Sequence, residues 1–310
     1  MKKIIAVVCI ISLFIIGCSN KTKDDKIWWI DNDFTKITEV WEYTKGQEDI
    51  LVGVIDSGID IHSDEIHDAI YTNLDEIPDN NIDDDGNGFV DDVNGWNFYD
   101  DDNQVYKNFA YDYHGTMIAG IIASHRYGIA DKIKILPLRC FRGLEGDAQD
   151  IVKAIEYGYK QGVRIFNCSW DMSEYNHVLE GCMKKYKDAI FVCSAGKDSQ
   201  NLDSKSVYPS SYGLPNIISV GGYDIDKTIY QYSGYGSQVD VFAPATHIYC
   251  VLPEDKYEFS EGTSFSVAIT TGVIALAFSM DDDIEGSKIK ERFSNCDNKL
   301  LDASIICGIK

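Results

Sequence analysis

The sequence predicts an α/β fold: one domain, doubly wound, with a mainly parallel central sheet and helices on both faces. Three observations predict it. Short apolar runs alternate with helix-patterned runs from residue 31 onward, the signature of parallel strands joined by crossover helices. The chain has 310 residues, 45% of them hydrophobic, enough for one large core. No linker-like or biased stretch divides residues 31–310.

The elements follow in order. "DILVGVIDSG" (49–58) is an apolar strand ending in a turn, and "KIKILPLRCF" (132–141) is a second. "DAQDIVKAIEYGYKQG" (147–162) has helical spacing, with Ile151, Ala154, Ile155 and Tyr159 on one face and a glycine at its end. "VRIFNCS" (163–169) is a strand, "YNHVLEGCMKKYKDA" (175–189) a helix, "IFVCSAG" (190–196) a strand and "NIISVGG" (216–222) a strand. In such sheets ligands bind at the carboxyl ends of the strands.

The formal net charge is -22. That argues against nucleic acid, whose phosphates need clustered Lys and Arg, and suits a soluble surface or bound cations. The chain opens with a basic "MKK" and an apolar run, Ile4–Ile16, of signal-peptide length. The run ends in "IIGCSN", which resembles a bacterial lipobox. The resemblance implies a signal peptide over 1–17, lipidated Cys18 as the mature N-terminus, and a polar tether over 18–30. The expected location is extracytoplasmic, anchored by lipid to a bacterial membrane, periplasmic or at the cell surface. No second apolar run looks long enough and free enough of polar residues to span a bilayer. Nine cysteines are present. Setting aside Cys9 and Cys18 leaves an odd number, so at least one is free or pairs with another chain. Cys168 and Cys193 read as small buried hydrophobes; Cys296 with Cys307 is a candidate disulfide.

The chemistry starts from "SEGTSFSVAITTGVIAL" (260–276). A helix here would be apolar on all sides and therefore buried, yet it opens on Ser264. A helix N-terminus carries unpaired N–H groups and partial positive charge, so a serine there suits a nucleophile whose negative intermediate is held by nearby backbone. A serine hydroxyl needs a base, and imidazole needs a carboxylate to fix its tautomer. Asp56 ends the first strong strand in "VGVIDSGID", and His114 stands in "YHGTMIAGIIAS", ahead of a helix whose Ala119, Gly120 and Ala123 permit close packing. His62, His67, His125, His177 and His247 read as surface or loop residues.

The chain order Asp…His…Ser is that of the subtilisin arrangement. "VIDSGID", "HGTMIAG" and "GTSFSVA" resemble the aspartate, histidine and serine motifs of the subtilases, and the similarity runs over roughly residues 38–280. The resemblance implies a serine endopeptidase acting on peptide or protein substrates, with Asp56, His114 and Ser264 as its triad. It also implies an oxyanion site at residue 197 and Thr263, and substrate contacts from Ser169, Trp170, Asp171 and Gly196. The departures are specific. "SAGK" puts Lys197 where the family has asparagine. Ala268 and Ala245 replace a proline and a glycine, and Ser169-Trp170-Asp171 replaces Ser-Leu-Gly. A carboxylate at Asp171 either selects a basic side chain or blocks the cleft. The family's folding prodomain is not evident between Cys18 and the core.

"NNIDDDGNGFVDD" (80–92) adds a calcium expectation. Counted from Asn81, oxygen-bearing side chains fall at EF-hand-like positions 1, 3, 5 and 12 as Asn81, Asp83, Asp85 and Asp92, with Gly86 at the sharp turn and Asn87 after it. Two further function classes remain beside the active protease. One is a catalytically weak or inactive subtilase-fold lipoprotein that binds peptides; the other is a calcium-dependent structural lipoprotein. The intact triad weighs against both.

Overall fold

The computed structural model describes residues 27–281 and 284–309, together with a two-residue strand at Ile5–Ala6. The signal-peptide expectation for 1–17, the lipidation of Cys18 and most of the tether lie outside the described residues.

The predicted sheet is present, with seven strands: β1 Leu51–Asp56, β2 Trp96–Asn97, β3 Lys134–Arg139, β4 Ile165–Cys168, β5 Ile190–Ser194, β6 Ile217–Tyr223 and β7 Val241–Pro244. Their spatial order is β7-β6-β5-β4-β1-β3-β2, and every neighbouring pair is parallel. The strands are buried on both faces, which is why they read as apolar runs without alternation. The main helices are α1 Phe109–Ala123, α2 Ala148–Lys160, α3 His177–Lys185, α4 Thr263–Met280 and α5 Gly286–Phe293. Buried side chains of α1, α4 and α5 form one apolar layer with Val52, Val54, Ile135, Ile165 and Val220. Those of α2 and α3 form the opposite layer with Ile55, Leu138, Phe166 and Phe191. Successive residues of β1 thus serve opposite layers, as the period of a strand requires.

The amphipathic helices begin where their caps say. Asp147 accepts from the Gln149 N–H at 2.8 Å, and Asn176 accepts from Val178 and Leu179 N–H at 3.0 Å each, meeting donors a helix start leaves open. On α2 the buried tyrosine is Tyr157, and Tyr159 is only half-buried.

Four expectations need correction. Residues 27–30 are not tether: Trp29 is fully buried, and the Trp28 indole donates to the Thr246 carbonyl at 3.2 Å. Their run Ile-Trp-Trp-Ile is apolar, so burial is favourable. His114 lies inside α1, not ahead of it. All seven described cysteines are free and buried, so Cys296 and Cys307 do not pair. Helix α4 is long and apolar enough by length and composition to cross a bilayer, but 89% of it is buried inside the protein. It is the core helix, and its Ser266, Thr270 and Thr271 hydroxyls bond to groups within the fold. The remaining regular elements, among them the hairpin of β8 Ile248–Leu252 and β9 Lys256–Ser260, were not expected.

Candidate active site

The chain leaves β1 for β3 on one side, then returns to place β4 on the other side of β1. That reversal opens a crevice at the carboxyl ends of β1 and β4. A cleft of about 210 Å³ lies there, lined by Asp56, Ser57, His114, Ser169 and Trp170, with Tyr111, Phe141 and Leu144 along its wall.

Asp56 is the last residue of β1 and is buried. His114 is buried one turn into α1. The His114 Nδ1 lies 2.8 Å from Asp56 Oδ1 and 3.0 Å from Oδ2. With the carboxylate on Nδ1, the proton sits on that nitrogen and Nε2 is left basic toward the cleft. The Ser57 N–H also donates to Asp56 Oδ1, at 2.7 Å. Close approach of α1 to the strand end depends on Gly115, where a Cβ would stand 2.2 Å from the Gly58 carbonyl oxygen and 3.2 Å from the Asp56 Cβ. The glycine of "HGT" is there because nothing larger fits.

Ser264 lies in the first turn of α4, half-buried, after Gly262 at φ +148°. Phe265, the next residue, has its ring 6.3 Å from the imidazole, so the helix start and His114 are neighbours. The Ser264 hydroxyl donates to the Ser169 carbonyl at 3.1 Å, and the Ser169 hydroxyl donates to the Ser264 carbonyl at 3.0 Å. These reciprocal bonds tie the segment after β4 to the start of α4. They also direct the Ser264 hydroxyl toward the Ser169 carbonyl.

Of the residues assigned to the oxyanion and substrate sites, Ser169 bonds to Ser264 directly and Gly196 is linked to Thr263 through Ser194. The Gly196 N–H donates to the Ser194 Oγ at 3.1 Å, and Ser194 Oγ lies 3.0 Å from Thr263 Oγ1. Either hydroxyl can donate in the Ser194–Thr263 bond, since a hydroxyl oxygen that accepts from Gly196 keeps a second lone pair. Gly196 has φ +89° and its carbonyl accepts from Gly234 at 3.0 Å. Trp170 is buried against Phe141, with ring centroids 5.8 Å apart; it is a cleft wall. Asp171 and Lys197 are both half-buried. Burial pushes the Asp171 carboxyl up to about 6, Lys197 opposes that rise, and Asp198 adds to it. The two departures from the family pattern therefore interact electrostatically. The five other histidines are exposed, as expected.

The acidic loop is built differently from a linear EF-hand. Oxygens of Glu76, Asp83 and Asp85 lie within 4.8 Å of one another; Glu76 lies outside the spacing that singled out the loop. Asp92 is taken up inside the fold. It accepts from Asn73 and Asn87 at 3.0 Å each and from the Tyr157 hydroxyl at 2.6 Å. Burial first, then Asp92, pushes the Tyr157 phenol far above its usual range. Asn81 contributes its backbone N–H to Asp91 at 2.9 Å.

A family model described as the subtilase family matches residues 47–302. The chain belongs to the subtilase family. It is 30% identical over 245 residues to the thermophilic serine proteinase of Bacillus sp. (strain AK1), covering 76% of this chain and 54% of that protein. It is 26% identical over 270 residues to the major intracellular serine protease of Bacillus subtilis (strain 168), covering 83% of this chain and 76% of that one. The chain thus spans about half the length of the first of these relatives. Among solved structures, a lanthipeptide protease superposes with a TM-score of 0.72 at 20% identity, covering 92% of this chain and 95% of that one. A cold-adapted subtilisin-like serine proteinase superposes with a TM-score of 0.66 at 20% identity, covering 82% and 83%. At those identities the superpositions speak to the fold, which is subtilisin-like.

Proposed function

We propose that this protein is a serine endopeptidase that cleaves peptide or protein substrates through an acyl-enzyme on Ser264. The observation that carries the reading is the buried Asp56–His114 pair, at 2.8 and 3.0 Å, at a cleft beside the N-terminus of α4. In this mechanism His114 Nε2 takes the Ser264 proton as the hydroxyl attacks the substrate carbonyl. Asp56 holds the tautomer and stabilises the imidazolium, and His114 then returns the proton to the leaving amine. Water repeats the sequence to release the acyl group. The developing oxyanion is met by the Ser264 N–H, by the Thr263 hydroxyl and by Lys197. Labelling with a fluorophosphonate probe tests the reading directly. An unlabelled wild-type protein favours a peptide-binding role, in keeping with the Ser264 hydroxyl's bond to Ser169.

The acidic loop fits a structural Ca²⁺. The donor set is hard oxygen, suited to that ion, and three converging carboxylates repel one another without a cation. Glu76, Asp83 and Asp85 would hold it. Bound Ca²⁺ would neutralise their charge and fix the loop that leads toward β2. An ion that binds only the native state raises stability by about 2.7 kcal/mol at a concentration one hundred times its Kd. The melting temperature is therefore expected to rise with millimolar calcium and fall with chelator, and Glu76→Gln with Asp83→Asn should abolish that response. A calcium-indifferent wild type would overturn the assignment.

The "IIGC" ending of the leader supports a lipoprotein held at a bacterial membrane from outside the cytoplasm by lipidated Cys18. Wild type should partition into detergent and Cys18→Ser into water; equal partitioning of the two would count against the anchor.

A further inference from the structure

We propose that Arg139 is a positioning residue for the reaction: it clamps the strand end bearing Asp56 to the helix bearing His114. The proposal rests on the reading of Asp56 and His114 as the acid–base pair.

Arg139 is the last residue of β3, and its side chain is 1% exposed. Its Nε donates to the carbonyl of Ser57, the residue after Asp56, at 2.8 Å. Nε and Nη2 reach Asp112 Oδ1 at 3.2 and 3.0 Å, and Asp112 is two residues before His114 on α1. The other oxygen of Asp112 accepts the Lys107 and Asn108 N–H groups at 2.7 and 3.0 Å, closing the start of that helix. Nη1 donates to Asn97 Oδ1 and Asp100 Oδ2, at 2.9 Å each, which fixes the plane of the guanidinium against β2. Burial pushes the Asp100 carboxyl up, but hydrogen bonds from Lys107, Asn97 and Arg139 outweigh it and hold it at about 2, so it stays ionised beside the guanidinium. One rigid planar group therefore touches the chain one residue from the carboxylate and two residues from the imidazole.

A buried ion pair is a weak device for stability, since apolar side chains of similar volume usually do as well or better. What the fork offers is geometry: fixed donors at fixed angles. The backbone on both sides is packed so closely that little else could tune the distance. A Cβ on Gly58 would come within 3.1 Å of the Asp112 side chain and 2.7 Å of the Val105 carbonyl oxygen. A carboxylate–imidazole bond out of line by an ångström can cost about 10²-fold in rate.

The test is a double-mutant cycle on the full chain. Arg139→Met and Arg139→Lys are each made in the wild type and in Asp56→Asn, and kcat, KM and melting temperature are measured. Arg139→Met should lower kcat by roughly 10- to 100-fold with KM little changed. Arg139→Lys should recover part of the loss, because an ammonium reaches one partner but not all. In the Asp56→Asn background, adding Arg139→Met should alter kcat by no more than about threefold, while the melting temperature falls as it does in the wild type. An equal kcat loss in both backgrounds, or none in either, overturns the positioning role alone. A fully active Asp56→Asn enzyme overturns the acid–base reading and this inference together. Should Arg139→Met not fold, the near-isosteric Asp112→Asn takes its place in the cycle with the same expected outcomes.

Discussion

Ser264→Ala is expected to lower kcat by about 10⁶, the scale seen when a triad nucleophile is removed, and to abolish fluorophosphonate labelling. The fold should persist, because the hydroxyl contributes one bond, to the Ser169 carbonyl, and Ser264 is only half-buried. Loss of one such bond is worth about 1 kcal/mol, small beside the burial of the rest of α4. An unchanged melting temperature with lost activity would separate chemistry from structure. His114→Ala should cost about as much, since the two act as a unit. The loss in the serine and histidine double variant should then equal either single loss. Labelling that survives in Ser264→Ala would mean a different nucleophile and would end the triad reading.

Much of this site is legible in the sequence because its parts are local. A strand that ends in Asp, a His followed by the glycine that β1 demands, and a Ser opening an apolar helix each leave a short mark. Their order along the chain does the rest. What escapes is long-range. Arg139 and Asp112 are 27 positions apart, and each alone looks like an ordinary charge. The available signal was an arginine at the end of an apolar run, "ILPLR", since a buried charge requires a partner. The closeness of Glu76 to Asp83 and Asp85 escaped because the spacing rule counts along the loop, and Glu76 enters from before it. Asp92, which matches that rule, also accepts from the Tyr157 hydroxyl, a long-range bond that the spacing does not reveal. The tether expectation extends over 18–30 because 19–26 are polar, but the two tryptophans of Ile27–Ile30 mark the edge of the core, where Trp29 and Ile30 are buried. The hairpin of β8 and β9 was missed because it lies outside the alternating pattern and follows its own pairing.

The second large effect belongs to Lys197. A side-chain donor aimed at the oxyanion typically carries about 10²–10³ in turnover, so Lys197→Ala is expected to lose that much if its ammonium serves where the family has asparagine. Two features of the site set the size of the effect. The Ser264 backbone N–H remains in the variant, and so does the Thr263 hydroxyl, which shares a bond with Ser194 that either hydroxyl can donate, so the oxyanion does not lose every donor with the lysine. A full positive charge near the reacting centre also disfavours the imidazolium that forms on His114, and Asp171 is placed to offset it. Burial holds the Asp171 carboxyl at about 6, with Lys197 working against the rise. Above that pH the aspartate is ionised and offsets the lysine charge; below it, Asp171 no longer contributes that offset. The sign for folding follows. An acid whose pKa is raised in the folded state binds more protons folded than unfolded, so stability falls as pH climbs from the ordinary carboxylate value of about 4 toward 6. Removing the ammonium should push the Asp171 titration higher still, and Asp171→Asn should remove this part of the pH dependence of stability. Comparing turnover in Lys197→Ala and Lys197→Asn decides the catalytic role. A slower alanine variant assigns the oxyanion to the lysine. An unaffected alanine variant and a faster asparagine variant would show that the lysine restrains the enzyme, and that the Asp171–Lys197 pair serves the cleft in some way other than holding the oxyanion.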